Sequence, residues 1–170
     1  MTDLVLLAVA FPFLIFSAWT DLRFLRLWNR ANLAFALAFL VVAPFLMPFG
    51  DIAARVAAAL CVGAVLIVLS IFGQFGGGDA KFFGALMLWI APQDYAPFCV
   101  IVAACGLMMP PFFAAAKASP WLRAQTPTWR CWKTRRTTWR KKKLPMGVSF
   151  ASAGVLYLIL RAVNAPVLPG

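Results

Sequence analysis

"LVLLAVAFPFLIFSAW", residues Leu4 to Trp19, holds no charged side chain across its sixteen positions. An apolar run of this kind suits a hydrocarbon core about 30 Å thick better than an aqueous one. A signal peptide would need a basic leading segment, but Asp3 precedes the run with no Lys or Arg, and "SAWTD" is a poor cleavage sequence. The run therefore reads as a retained membrane helix, kinked at Pro12 at a cost that a tight bundle absorbs. The same texture recurs through the chain. Apolar residues make up 64% of the 170 positions and charged residues 12%, where a soluble domain has about 45–50% and about 25%. So short a chain cannot hide that much apolar surface in one aqueous core. Six spans would use about 120 residues and leave about 50 for polar connections.

Outward from the first run, further spans are expected over Ala31–Phe49, Ile52–Phe72, Tyr95–Ala116 and Pro145–Val163. Between the third and the fifth lies "FFGALMLWIAP" (Phe82–Pro92), which is short even when begun at Gly78 and calls for tilt or local thinning of the bilayer. Pro110–Pro111 is expected to bend or break the fifth span near one end. Arg55, one turn inside the third, is placed to snorkel to the headgroups. Asp51 and Asp94 read as loop caps or markers of topology.

Positive charge orients the bundle. Arg23, Arg26 and Arg30 follow the first span, and residues 117–144 carry ten of the sixteen basic residues and no acid. With six spans both segments, and Lys81 with them, fall on one side, whereas five would separate them. The positive-inside rule then places these loops in the cytoplasm and both termini outside. The expectation is an all-α polytopic membrane protein of six transmembrane helices, one membrane-embedded domain over 1–170 with the basic loop 117–144 inside it. That loop interleaves Trp121, Trp129, Trp132 and Trp139 with Lys and Arg. Beside two membrane helices such a segment points to anionic lipids rather than to nucleic acid, which is the less favoured partner of the +11 charge.

The chain has no His and no Glu, so its five carboxylates are all Asp. Catalytic triads built on His and the HExxH zinc site are excluded. Four cysteines, with no CxxC pair, suggest buried small side chains rather than a metal or dithiol site. No metal or other cofactor is expected. Asp21 and Asp79 stand out because both fall at cytoplasmic ends of spans and can meet at one depth. Two close carboxyls share a proton, since both cannot ionise cheaply. The ionised one can then take a proton from water while the other donates to a carbonyl oxygen. Taken singly, each has a plainer reading: Asp21 as a helix cap or a partner of Arg23 or Arg26, Asp79 as a helix N-cap after three glycines. Gly76, Gly77 and Gly78 permit close backbone approach by an extended peptide. Lys81 is either a leaflet anchor or an electrostatic neighbour of Asp79, and Asn29 either caps the second helix or fixes the loop.

"GGGDAKFFGALMLW" (Gly76–Trp89) resembles the GxGD signature of the type IV prepilin peptidases, which commonly continues into a Lys, here Lys81. "DLRFLRLWN" (Asp21–Asn29) is similar to that family's first motif, and "LPMGVSFASAG" (Leu144–Gly154) to its late Pro-x-Gly motif. The resemblance implies an intramembrane aspartyl peptidase with Asp21 and Asp79 catalytic, and with Gly76, Gly78, Lys81, Asn29, Pro145 and Gly147 at family positions. It further implies a prepilin substrate, cut at the cytoplasmic face of a bacterial inner membrane, and association with other pilus assembly proteins. The chain lacks the cysteine-bearing insertion of larger members, which resembles the short branch serving Flp-type pili, with peptidase but no methyltransferase activity. Trp28 replaces the family's Pro before Asn29, which should loosen that turn, and Met146 replaces an aromatic after Pro145. Two other classes remain open: a proton-coupled transporter using the aspartates as a relay, and a non-catalytic scaffold of a pilus assembly complex.

Overall fold

A computed structural model describes residues 2–73, 76–129 and 146–163. Among these residues the regular structure is helical: α1 (Thr2–Phe24), α2 (Asn29–Leu46), α3 (Phe49–Ile71), α4 (Gly77–Met87), a 3₁₀ turn at Pro92–Asp94, α5 (Tyr95–Ala118), α6 (Pro120–Gln125) and α7 (Met146–Ala162). Four segments are long and apolar enough to cross a membrane, namely α1, α2, α3 and Pro92–Ala118, and α7 is a shorter apolar helix of 17 residues.

On α1 the buried residues Leu6, Ala10, Leu14, Ser17 and Asp21 recur at helical spacing, forming one stripe. That stripe packs on α7 in antiparallel register. Gly147 lies against Asp21, and Gly154, seven residues on, lies against Leu14, seven residues back. At the end of this seam Arg161 reaches Asp3, 3.9 Å away. The seam gives the bundle two ends. Asp21, Asn29, the start of α4 and the start of α7 share one, here termed the site end. Asp3, Asp94 and Arg161 share the other, the far end.

The short helix α4 is the core element, packed among α2, α3 and α7. Gly84 comes so near Gly63 of α3 that a Cβ on Gly84 would lie 3.4 Å from the Gly63 Cα. Small residues permit this close backbone contact. Trp89, 1% exposed, stacks on Phe35 at 5.1 Å and meets Phe39 edge-on at 5.4 Å. The 11 residues of α4 span only about 16 Å. Its sides are covered by protein rather than lipid, with Ala80, Phe82, Phe83, Ala85, Leu86 and Met87 buried, so the bilayer thinning or tilt anticipated from its length is not required.

Ending a helix inside an apolar bundle strands backbone groups; two side chains here bond carbonyls and a third accepts from an N–H. The Tyr95 hydroxyl donates to the Met87 carbonyl at 3.2 Å, and Arg55 Nη1 donates to the Trp89 carbonyl at 3.2 Å. The Ala91 N–H donates to the Tyr157 hydroxyl at 3.2 Å. Two expectations change accordingly. Arg55 turns inward to a backbone carbonyl instead of snorkelling to the headgroups. Asp94 makes no side-chain cap bond at the start of α5; it accepts a 2.7 Å hydrogen bond from Tyr157 and lies 3.7 Å from Arg161. Asp51 occupies the first turn of α3, where the helix dipole favours a negative charge.

Both prolines expected to bend or break the fifth span lie inside a continuous α5, which runs on for about two turns beyond them. Likewise α1 is unbroken at Pro12. The stretch expected as the basic loop begins with the end of α5 and the six-residue α6. The remainder of that loop from Arg130, with Pro145, lies outside the described residues.

Candidate active site

Asp21 belongs to the last full turn of α1, yet it is 4% exposed because the apolar stripe below it turns it toward α7. Its Oδ2 accepts a hydrogen bond from the Val148 N–H at 3.3 Å. Val148 stands in the first turn of α7, whose unpaired N–H groups and dipole end suit a carboxyl group. Gly147 is the seat of this contact: a Cβ there would lie 2.9 Å from Asp21 Oδ2 and 3.0 Å from Leu27 Cδ2. Arg23, a candidate partner for Asp21, instead stacks its guanidinium over Trp19 and Phe24, 5.1 and 5.2 Å from the ring centroids.

Asp79 is the third residue of α4, and Gly76 is the N-cap. From that position a side chain can fold back over the cap residue, and the Asp79 carboxyl does so, occupying the space a Cβ on Gly76 would need. Asp21 and Asp79, contributed by α1 and α4, lie at the same end of the bundle. Both carboxyls thus rest on glycines, Asp21 on Gly147 and Asp79 on Gly76. Between them Leu27, 6% exposed, is wedged against Gly147 and Gly78, where a Cβ on Gly78 would meet Leu27 at 3.5 Å. Gly77 faces elsewhere, toward Ser70 of α3.

The first turn of α4 is gripped by α2. Lys81 Nζ donates to Asn29 Oδ1 at 3.4 Å, which joins two residues singled out in the sequence. One helical turn along, Asn32 Nδ2 donates to the Gly78 carbonyl at 3.4 Å. Asn32 was not anticipated. It is 5% exposed, and its Oδ1 has no hydrogen-bond partner. Ser149, 1% exposed with its Oγ likewise unpartnered, was also missed, although it directly follows the residue that binds Asp21. The i, i+3 spacing of Asn29 and Asn32 was the available signal, since it puts both amides on one face of α2.

The turn between α1 and α2 explains how Trp28 serves where the first motif has Pro. Leu25 adopts φ +52°, a left-handed conformation costing a non-glycine residue about 1–2 kcal/mol. The reversal points Leu27 inward and Trp28 outward. Trp28 then packs on Phe16 and Phe24, each 6.1 Å between ring centroids, while Phe24 meets Trp19 at 6.1 Å. An aromatic cluster thus holds the turn that was expected to be loose.

Among the described residues no group of three or more His, Cys, Asp or Glu side chains is placed to hold a metal ion. What the site end offers is a pair of carboxyls from separate helices, buried or seated on glycine, beside a helix N-terminus. That geometry stands within a family match: the model of the type IV leader peptidase family matches residues 8–110. The match covers more than half of the chain, and the protein belongs to the type IV leader peptidase family. It is therefore a peptidase, and the family's substrates are in general prepilins. The matched segment contains Asp21, Asn29, Gly76, Gly77, Gly78, Asp79 and Lys81 and stops short of Gly147. No curated protein and no solved structure matches the chain.

Proposed function

We propose that this protein is an intramembrane aspartyl endopeptidase that removes the leader of a prepilin, with Asp21 and Asp79 as its catalytic dyad. The observation that carries the reading is the placement of these two aspartates at one end of the bundle, each over a glycine. In the working form one carboxyl is ionised and the other protonated. The ionised group takes a proton from water as the water oxygen bonds to the scissile carbonyl carbon. The protonated group gives its proton to the carbonyl oxygen. The tetrahedral species then collapses, the C–N bond breaks, and the departing amine takes up a proton. Since only the singly protonated pair is competent, the rate is expected to follow a bell-shaped pH profile.

The extended peptide is read as lying beside Asp79, whose carboxyl Gly76 allows to fold back while Gly78 seats Leu27, and Lys81 with Asn29 holds the turn that carries it. On this reading the chain crosses a bacterial inner membrane six times within a single domain, both termini outside and the site end cytoplasmic. The basic segment 117–144 then faces the anionic leaflet. On the same reading the substrate is a small Flp-type pilin, with no methyltransferase step and with other pilus assembly proteins as partners. A proton relay would need the carboxyls at different depths, and their placement at one end favours the dyad.

The deciding experiment is cleavage of a co-expressed small prepilin in membranes, comparing wild type with Asp21→Asn and Asp79→Asn. Each substitution keeps size and removes the titrating group. Trimming by wild type and uncut leader with both variants is the expected result. Normal cleavage by either variant removes that residue from the dyad.

A further inference from the structure

Asp79 is carried by a helix whose other end is bound by side chains from three different helices. At the start of α4 the two cross-helix bonds from α2 are both 3.4 Å long. Where α4 ends, Arg55 from α3, Tyr95 from α5 and Tyr157 from α7 bind Trp89, Met87 and Ala91, each at 3.2 Å. Tyr157 is itself held by Asp94 at 2.7 Å, and Asp94 by Arg161 at 3.7 Å. Along its length α4 meets its neighbours through apolar contacts: Gly84 on Gly63, Leu86 under Gly154, Phe82 beside Phe35 and Phe83 beside Phe150. Apolar contacts of this sort are non-directional. Hydrogen bonds to stranded carbonyls are directional, and in a water-poor interior a broken one has no solvent to replace it.

We propose that Arg55, Tyr95 and Tyr157 are positioning residues that set, from the far end of the bundle, the height at which α4 presents Asp79 to Asp21. This rests on the dyad reading above and assigns a role to a polar cluster that the chemistry itself does not use. The lever is the helix: about ten residues, or about 15 Å, of α4 and its extension separate the clamp from the carboxyl. Catalysis is sensitive to such placement, since a displacement of about 1 Å can cost about 10²-fold in rate. Substrate binding along the glycines has no direct dependence on the clamp.

Two readings on the full-length protein in membranes test this. The first is steady-state cleavage of a prepilin peptide by Tyr157→Phe, Arg55→Met and the double variant. The expected result is a kcat lowered about tenfold or more with KM within about twofold. The second needs no activity. Asn29 and Lys81 touch across α2 and α4, so Asn29→Cys with Lys81→Cys, in a background lacking the four natural cysteines, reports the register of α4 through its rate of capture by a short bismaleimide. That rate is expected to fall when Tyr157→Phe and Arg55→Met are added, and to hold when lipid-facing Leu107→Ala is added instead. If Tyr157→Phe does not accumulate, Asp94→Asn leaves the hydroxyl in place, removes the charge behind it, and should give a smaller fall in both readings. Unchanged kcat in the double variant, or slowed capture with unchanged kcat, overturns the proposal. Should wild type cleave no prepilin, the dyad reading fails, and capture alone then decides: an unchanged rate overturns the clamp as well.

Discussion

The two ends of this bundle solve opposite problems with similar residues. At the far end unlike charges meet: Arg161 lies between Asp3 and Asp94, and Tyr157 bridges Asp94 to a backbone N–H. At the site end lie two like charges, Asp21 and Asp79. Of the three buried side-chain polar atoms without a partner among the described residues, Asn32 Oδ1 and Ser149 Oγ belong to the site end, while Trp89 Nε1 lies where α4 finishes. The turn beside Asp21 also holds Leu25 in a left-handed conformation. The site end holds two of these three groups and the strained turn, the pattern expected where chemistry is kept at the expense of stability.

The largest effect should come from cancelling the like charges. Asp21→Asn and Asp79→Asn are each expected to lower cleavage by about 10³-fold or more, the scale lost when a group acting as part of a catalytic unit is removed. Neither should lower the thermal midpoint in detergent, because each relieves repulsion and the burial of a charge. A midpoint that falls in both variants would make the carboxyls structural, and the contrast between the ends would disappear.

Next in size is the glycine seat of Asp21. Gly147→Ala places a methyl 2.9 Å from Asp21 Oδ2 and 3.0 Å from Leu27, closer than packed atoms tolerate. The carboxyl or Leu27 must move, and overpacking of this kind costs about 1–3 kcal/mol. Cleavage should fall about tenfold to a hundredfold, in line with the sensitivity of rate to placement. An active Gly147→Ala protein would show that the α7 contact does not aim Asp21.

Much of the fold was legible because apolar runs and charge declare membrane helices directly. The candidate pair was easy to single out, since with no His and no Glu few residues compete for the role. What stayed hidden depends on packing between distant segments. Arg55 lies one turn inside an apolar helix, a position that suits snorkelling and inward bonding alike, and only the early end of α4 decides between them. Asn32 and Ser149 look like ordinary polar residues in helices until α4 and α7 are brought against them. At Trp28 the sequence shows a missing Pro but not that Phe16 and Phe24 converge there.

At the far end, Tyr157→Phe removes one hydroxyl and with it both the Ala91 and the Asp94 contacts. Leaving a buried donor unmatched costs about 1–3 kcal/mol, so the thermal midpoint should fall, in contrast to the aspartate variants.

The smallest effect separates the two kinds of glycine. Gly106 lies in mid-helix in α5, and a Cβ there would meet nothing within 4 Å. Alanine lowers the conformational cost of a helix by at most about 1 kcal/mol relative to glycine, and less where the unfolded chain stays helical in lipid. Gly106→Ala should therefore raise the thermal midpoint slightly, seen by tryptophan fluorescence in detergent, and leave cleavage unchanged. Gly147 stands in the first turn of α7, where alanine gains less than in mid-helix, so a loss of cleavage confined to Gly147→Ala points to the contact with Asp21 and Leu27. If Gly106→Ala impairs cleavage as much as Gly147→Ala does, the loss reflects general intolerance of the bundle, and the seat of Asp21 has no special part in it.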